Sequence, residues 1–490
     1  MNPSFDQFPH FIFTFNIMRK IFIVVSFFLT ANLQAQTVHD HFEKIRNNAA
    51  ALTAFFSQMP KGGDLHHHYS GSVYAETFFD IAVEKNFFIN KITLEVLDKK
   101  PIADSAWTDF SSLQQEGLLA EYKQRLLQQW SAKDYNFISY PSYKQFFESF
   151  GHFGIVADMS FDRGLLELKQ RAKTEHVSYI ETMFKTIDCD KPVDDLFVLN
   201  KKLEQYQLLK NTSSTETLFD SLFTIIEKRN VAGCAIKFND ELKKLHESLA
   251  MDDGLFIMRY QNFVLRFMNP VQLFTNLVVA FESANRSPLV VGVNIVAPEH
   301  EDISMNDYWL HMQMFRYCHK KFPTVKYSMH AGELALGMVK PEELNWHINA
   351  AIFDAKANRI GHGVDLPYEK DCYALLNYMS KNEIPVEINL YSNEFILKVK
   401  DDRHPIMLYK NFRVPIVISS DDAGVLRSNL TEQYVLLAYR YPNISYENIK
   451  TFVYNSIQYS FIEEPAIKQK LRSQLDADFK VFENKIIALK

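Results

Sequence analysis

Residues 288–296 read Pro288-Leu289-Val290-Val291-Gly292-Val293-Asn294-Ile295-Val296. A short, nearly unbroken run of branched apolar side chains suits a strand buried on both faces, as in a parallel sheet covered by helices. Working outward, similar runs recur at 63–68, 177–184, 231–238, 325–330, 359–363, 385–389 and 415–420, which with 289–296 makes eight. Longer amphipathic stretches separate them, such as 341–357 between the fifth and sixth, which reads as a helix. Strands alternating with helices in this number predict an α/β fold, a (β/α)8 TIM barrel. The first crossover, residues 75–170, is longer than one helix requires and rich in aromatic residues around Trp130 and 140–153. It predicts a helical insertion, lying either over the barrel mouth or only against the outside. From Thr431 the pattern is helical to the C-terminus.

The chain has 490 residues. At about 150 residues per domain that suggests roughly three domains, but barrels with insertions pass 400 residues as one unit, so 36–490 is expected to be a single domain. Forty-one Phe and 47% apolar residues argue against disorder. A net charge of −6 offers no basic footprint for nucleic acid. Cys189, Cys234, Cys318 and Cys372 form no CxxC pair, which removes that class of zinc or redox motif and leaves their pairing open. Near the N-terminus, Met18, Arg19 and Lys20 precede the apolar run 21–29 and then Thr30 and Ala31. This order predicts a signal peptide over 1–35, cut after Ala35 or Ala31, with Met18 as an alternative start; a buried N-terminal helix is the competing reading. The run falls short of the roughly 20 residues a membrane span needs. The processed chain is therefore expected to be exported, periplasmic or extracellular, with no stable membrane span and with disulfides permitted.

Metal-type residues fall at the strand ends. His66 and His68 close the first strand, and residues i and i+2 of a strand share a face, so both can reach one ion while His67 points away. A lone HxH also fits a histidine-rich surface loop. The fifth strand, however, ends in His330-Ala331-Gly332-Glu333, the sixth in Gly361-His362-Gly363 and the eighth in Ser419-Ser420-Asp421-Asp422. In a TIM barrel these ends meet at one mouth. Three histidines and an aspartate make a plausible zinc shell.

HxH, HAGE, GHG and SDD, in that order from about Met59 to near the C-terminus, together resemble the adenosine deaminase family, a zinc-dependent branch of the metal-dependent amidohydrolases. The opening from Met59 through Lys61 to His66, together with the export signal, is similar to the secreted, growth-factor-type members. The resemblance implies one Zn2+ per chain, held by His66, His68, His330 and Asp421. It implies that Glu333 protonates purine N1, that His362 orients the attacking water, that Asp421 also accepts a proton, and that Asp422 holds N7. The chemistry agrees, since zinc brings the pKa of water to about 7 and a carboxyl group in an apolar site keeps its proton. Glu333 is equally a residue that a helix N-terminus would favour.

The sequence departs from the family where the sugar would bind. The family often has an acidic residue just after HxH, where Tyr69 and Ser70 stand here. After the fourth strand, where a glycine N–H usually faces purine N3, the chain reads Val296-Ala297-Pro298-Glu299-His300-Glu301. Ala297 keeps its N–H and Pro298 has none. Ser70, Ala297 and Asp422 are accordingly the expected substrate contacts. Glu181 and Asn389 either line the mouth or satisfy buried backbone. The expected reaction is deamination of adenosine or 2′-deoxyadenosine, with a small purine nucleoside as partner and the oligomeric state open. The alternatives are an amidohydrolase acting on adenine, a nucleotide or another amine, and a secreted nucleoside-binding or receptor-engaging protein. Few cations besides Arg427 stand near the mouth, which disfavours a nucleotide. Sequons at Asn211, Asn429 and Asn443 carry meaning only in a eukaryotic secretory pathway.

Overall fold

The computed structural model describes residues 38–489 except 102–104, 137, 139, 188 and 190–192. The expected signal peptide and Met18 lie outside the described residues. Eight parallel strands carry the fold: β1 (Gly62–His68), β2 (Val177–Lys185), β3 (Ile257–Leu265), β4 (Val290–Val296), β5 (Ser328–Ala331), β6 (Arg359–His362), β7 (Val386–Ile388) and β8 (Ile416–Ile418). They form two curled four-stranded sheets, ordered β1-β2-β3-β4 and β5-β6-β7-β8. A bridge between Val293 and Tyr327 joins β4 to the approach of β5, and one between His67 and Asp421 joins β1 to the chain leaving β8. The last seam is thus made by residues of the histidine cluster: Asp421 N donates to His66 O at 2.9 Å and His68 N donates to Asp421 O at 3.3 Å.

One expected strand is wrong. Residues 231–238 lie in the helix Val231–Ser248, and the third strand is Ile257–Leu265. A short apolar run does not distinguish strand from helix by periodicity alone. Here Val231, Ala235, Leu242 and His246 are buried along one helical face. The true strand was masked by its polar residues, which are buried with partners: Arg259 donates to Asp252 and Gln261 donates to Glu181. The stretch 341–357 is also shorter in helix than expected, a 3-10 turn Pro341–Asn345 followed by an α-helix His347–Phe353.

The long first crossover is not helical throughout. Between the helices Ala75–Glu84 and Phe110–Gln115 it folds into a small antiparallel sheet of Phe88–Asn90, Val96–Leu97 and Trp107–Asp109. Its helix Ser142–Asp158 buries Phe146 and Phe153 and sets Phe146, Phe147 and Phe150 into the wall of the barrel-mouth cavity. After β8 and the short helix Ala423–Leu426 come three longer helices, Leu430–Arg440, Tyr446–Gln458 and Pro465–Ile487. Ser456 of the second accepts the Gly63 N–H at 2.7 Å and so pins β1 from below. Asn211 and Asn429 of the sequons spend their side chains capping helices, accepting from Ser214 N and Glu432 N. Cys189 and Cys234 form a disulfide, while Cys318 and Cys372 are free. No helix among the described residues is long and apolar enough to cross a membrane.

Candidate metal centre and active site

A cavity of about 610 Å³ opens at the C-terminal ends of the strands. His68, His330, Glu333, His362, Asp421 and Asp422 form its polar end, and Ser70 and Ala297 also line it. His66 lies beneath, fully buried. Every residue expected at the site is therefore brought to one place. His67 points away, with Nδ1 3.0 Å from Thr182 Oγ1.

The distances describe a converging cluster. Asp421 Oδ1 lies 3.5 Å from His66 Nε2 and 3.4 Å from His68 Nε2, and His68 Nε2 lies 3.2 Å from His330 Nε2. His362 Nε2 stands 3.7 Å from Glu333 Oε1 and 4.0 Å from Asp421 Oδ2. Three overlapping triads bring their ligand atoms within 4.8 Å: His66–His330–His362, His66–His68–Asp421 and Glu333–His362–Asp421. Two tests show that a cation fits. Buried His66 Nε2 has no hydrogen-bond partner although it points at the cluster. Burial opposes a charge on His66, yet the nearby Asp421 and Glu387 carboxylates push its ring up to about 10, so they stabilise positive charge here.

The carboxyl groups divide into two kinds. Burial opposes the Asp421 charge, but His66, His362 and His68 hold its carboxyl far below the usual range. Burial raises Glu333 well above that range, reinforced by Asp421 and Glu299. Burial and the neighbouring Asp421 charge raise Asp422 in the same way. Neighbouring acids with pKa values pushed apart are the usual arrangement for acid and base roles. The backbone is strained at the same spot: His362, Asp421 and Ala297 have φ of 68°, 61° and 88°. Such left-handed values cost a non-glycine residue about 1–3 kcal/mol and cluster at functional sites. Ala297 thus stands in a conformation suited to glycine.

An outer layer, not foreseen in the sequence, aims these groups. Glu387 on β7 lies 2.7 Å from His66 Nδ1, and Asn294 on β4 accepts from His330 Nδ1 at 3.0 Å. Both leave Nε2 of those rings turned to the cluster, the usual support for a metal-ligating histidine. Glu387 sits two residues before Asn389 and shares its strand face, a signal the alternation carries. Glu299 accepts the Gly332 and Glu333 N–H groups at 3.1 and 2.9 Å, and His347 Nδ1 lies 2.5 Å from it, so the turn bearing Glu333 is held from behind. Glu181 does not line the cavity: it is buried against Tyr179, Gln261, Arg359 and the Phe461 N–H. Asn389 stands 3.4 Å from His362 Nδ1. Arg427 pairs with Glu76 and does not reach the cavity.

Comparison with known proteins agrees with this geometry. The sequence profile described as adenosine deaminase matches residues 258–478, which hold Glu333, His362, Asp421 and Asp422. An adenosine deaminase of Clostridium kluyveri is 26% identical over 246 residues, 46% of this chain and 66% of that protein. One of Clostridium botulinum is 21% identical over 322 residues, 61% of this chain and 86% of that protein.

Over residues 258–478 this chain is similar to the adenosine deaminase family.

The chain spans 42% of a further adenosine deaminase, from Clostridium acetobutylicum, at 30% identity. Solved structures carry the same fold. An N6-mAMP deaminase from arabidopsis superposes with TM-score 0.52 and 18% identity, over 86% of this chain and 99% of that one. An amidohydrolase from Burkholderia ambifaria with bound Zn superposes with TM-score 0.52 and 16% identity, over 89% and 94%. The part of the site outside the matched profile is the β1 end, where His66, His68 and Ser70 stand.

Proposed function

We propose that this chain is a zinc-dependent hydrolase that deaminates a neutral 6-aminopurine nucleoside, adenosine or 2′-deoxyadenosine, giving the 6-oxo product and ammonia. One observation carries the reading: an acid held protonated, Glu333, and a base held ionised, Asp421, flank the histidine cluster at the floor of one cavity. His66, His68, His330 and Asp421 would hold one zinc ion, and the Burkholderia relative with bound Zn supports that identity. When bound, zinc lowers the pKa of water to about 7 and so makes a nucleophile at neutral pH.

The remaining work belongs to the chain. Addition of water at C6 drives electron density onto ring N1, where the Glu333 carboxyl delivers its proton. Asp421 takes one proton from the water and can pass it to the departing amine. The remaining hydroxyl proton returns to Glu333 as the C6–N bond breaks and the 6-oxo group forms, so water and substrate leave as product and ammonia with both carboxyl groups restored. His362 steadies the attacking oxygen. Asp422 donates to N7, its proton retained by burial. The Ala297 N–H and Ser70 hydroxyl remain for N3 and the sugar. The other walls are apolar, with Phe147, Phe150, Met183, Phe263 and Leu265, and no Lys or Arg stands among the described lining residues. A phosphate would find no cation here, which favours a nucleoside over a nucleotide.

The test is an ultraviolet assay of metal-defined protein on adenosine, 2′-deoxyadenosine, adenine and AMP. Nucleoside turnover is expected, abolished by chelation. Glu333→Gln is expected to lower kcat by about 10²–10⁴-fold, the range for a lost general acid, with zinc content unchanged. Turnover of AMP or adenine alone would refute the nucleoside assignment, and inactivity of metal-loaded protein on all four would refute the deaminase. We also propose export, supported by the Cys189–Cys234 disulfide, which persists in oxidising compartments. Fractionation of the producing cell checks this.

A further inference from the structure

A neutral imidazole has a proton on one nitrogen and a lone pair on the other, and which is which decides whether His362 offers the centre a donor or a ligand. Four buried groups behind His362 settle the matter, because the direction of their bonds is set at the far end. The backbone N–H of Ile406 can only donate, and it lies 3.2 Å from His404 Nδ1. His404 Nδ1 is therefore the acceptor, and the His404 proton sits on Nε2. That nitrogen lies 3.1 Å from Asn393 Oδ1, which can only accept. With its carbonyl so engaged, Asn393 turns its amide nitrogen to His362 Nδ1 at 2.9 Å. A second amide, Asn389 Nδ2, stands 3.4 Å from the same nitrogen. His362, Asn389, Asn393 and His404 are all at most 3% exposed.

We infer that Asn393 and His404 are positioning residues that lock His362 in the tautomer with its proton on Nε2, aimed between Glu333 and Asp421. His362 then presents an N–H and no lone pair to the centre. It donates a hydrogen bond to the attacking oxygen and is not a metal ligand, although its ring sits in two of the three possible triads. The same reasoning gives the opposite answer next door. Asn294 Oδ1 is identified as the oxygen because it accepts Ile295 N–H at 2.9 Å, so His330 Nδ1 must donate to it and Nε2 keeps its lone pair. The Glu387 carboxylate imposes the same state on His66. Two kinds of outer partner thus sort chemically identical rings into ligands and a donor. The catalytic consequence rests on the deaminase reading proposed above, whereas the tautomer does not.

The test uses the full, zinc-loaded protein with 15N-labelled histidine, its ring nitrogens read by long-range 1H–15N NMR and His362 assigned from the spectrum of His362→Gln. The expected wild-type result is a protonated Nε2 and a bare Nδ1. Asn393→Asp, which can only accept, is expected to move the proton to Nδ1 and to lower kcat by about 100-fold, with zinc content unchanged and KM within about twofold. His404→Gln, whose amide can donate the same bond, is expected to keep the wild-type tautomer, and His404→Leu to lose its single form. A wild-type proton on Nδ1 would overturn the inference, as would an unchanged tautomer in Asn393→Asp. Should Asn393→Asp not fold, the wild-type spectrum and the two His404 variants decide. An Nε2–H tautomer in protein that deaminates no aminopurine would remove the deaminase reading and leave the relay standing.

Discussion

A Cβ added at Gly71 would stand 1.6 Å from Asp422 Oδ1. Gly71 belongs to the short helix Tyr69–Ser72 that leaves β1, so the only residue that fits beside Asp422 is one with no side chain. Gly71→Ala is expected to displace the Asp422 carboxyl by the order of an ångström and to lower kcat/KM by about 100-fold, the effect of such a misplacement. Zinc content should hold, because Asp422 is not among the proposed ligands. Steady-state kinetics beside metal analysis checks this, and wild-type kcat/KM in the variant would detach Asp422 from substrate. At the same scale, Glu333 sets a pH dependence. A carboxyl whose pKa is raised is an acid below that pKa and is lost as pH rises through it; Asp421, whose pKa is depressed, stays ionised except in strong acid. The kcat profile from about pH 5 to about pH 10 should therefore be level on the acid side and fall on the alkaline side. A rate climbing with pH through neutrality would contradict the acid role of Glu333.

Between elements, Arg359 is the cross-brace. From β6 it donates to Glu387 on β7 and Glu181 on β2, and its guanidinium lies 3.5 Å from the centre of the Phe461 ring. Arg359→Leu leaves two buried carboxylates without the guanidinium they share, a change that costs about 3–5 kcal/mol. It also frees Glu387 from its hold behind His66, which should weaken zinc by about 10–100-fold. Urea unfolding and chelator competition measure the two effects separately; lost stability with undiminished zinc affinity would show that Glu387 is aimed without Arg359. These elements also show what the sequence reveals and what it hides. The ends of β1, β5, β6 and β8 were legible because metal chemistry writes itself at fixed spacing on strand ends. β3 was hidden because Arg259 and Gln261, though buried, look polar until their partners Asp252 and Glu181 are known. Asn393 and His404 carry no signal either, since the contact with His362 crosses 31 residues and depends on the helix Leu390–Leu397 turning back beneath it.

For the molecule as a whole, the Cys189–Cys234 bridge ties the chain leaving β2 to the helix Val231–Ser248, which precedes β3. Its sequence separation of 45 residues corresponds to about 4 kcal/mol of lost unfolded-state entropy in the loop-closure picture. Cys234→Ser is expected to lower the midpoint of denaturant unfolding and to abolish the effect of added thiol on it. Equal stability of wild type and variant without reductant would show that the bridge adds nothing to the fold. The span 75–170, which the sequence left undivided, holds the small sheet, and the stretch between β2 and β3, where a strand was expected at 231–238, holds the disulfide-tied helix Val231–Ser248. Neither follows from hydrophobic period, because both are settled by packing on the barrel.

The seam at His66, His68 and Asp421 also has a consequence for biosynthesis. His66, the first of the proposed ligands, leaves the ribosome early, but Asp421, which would complete the set and whose backbone closes the ring onto β1, is 355 positions further along. A nascent polypeptide can therefore carry histidines and a growing sheet without yet being an enzyme. Competence arrives in a single late event, when the eighth strand is in place, and a truncated translation product is born inert.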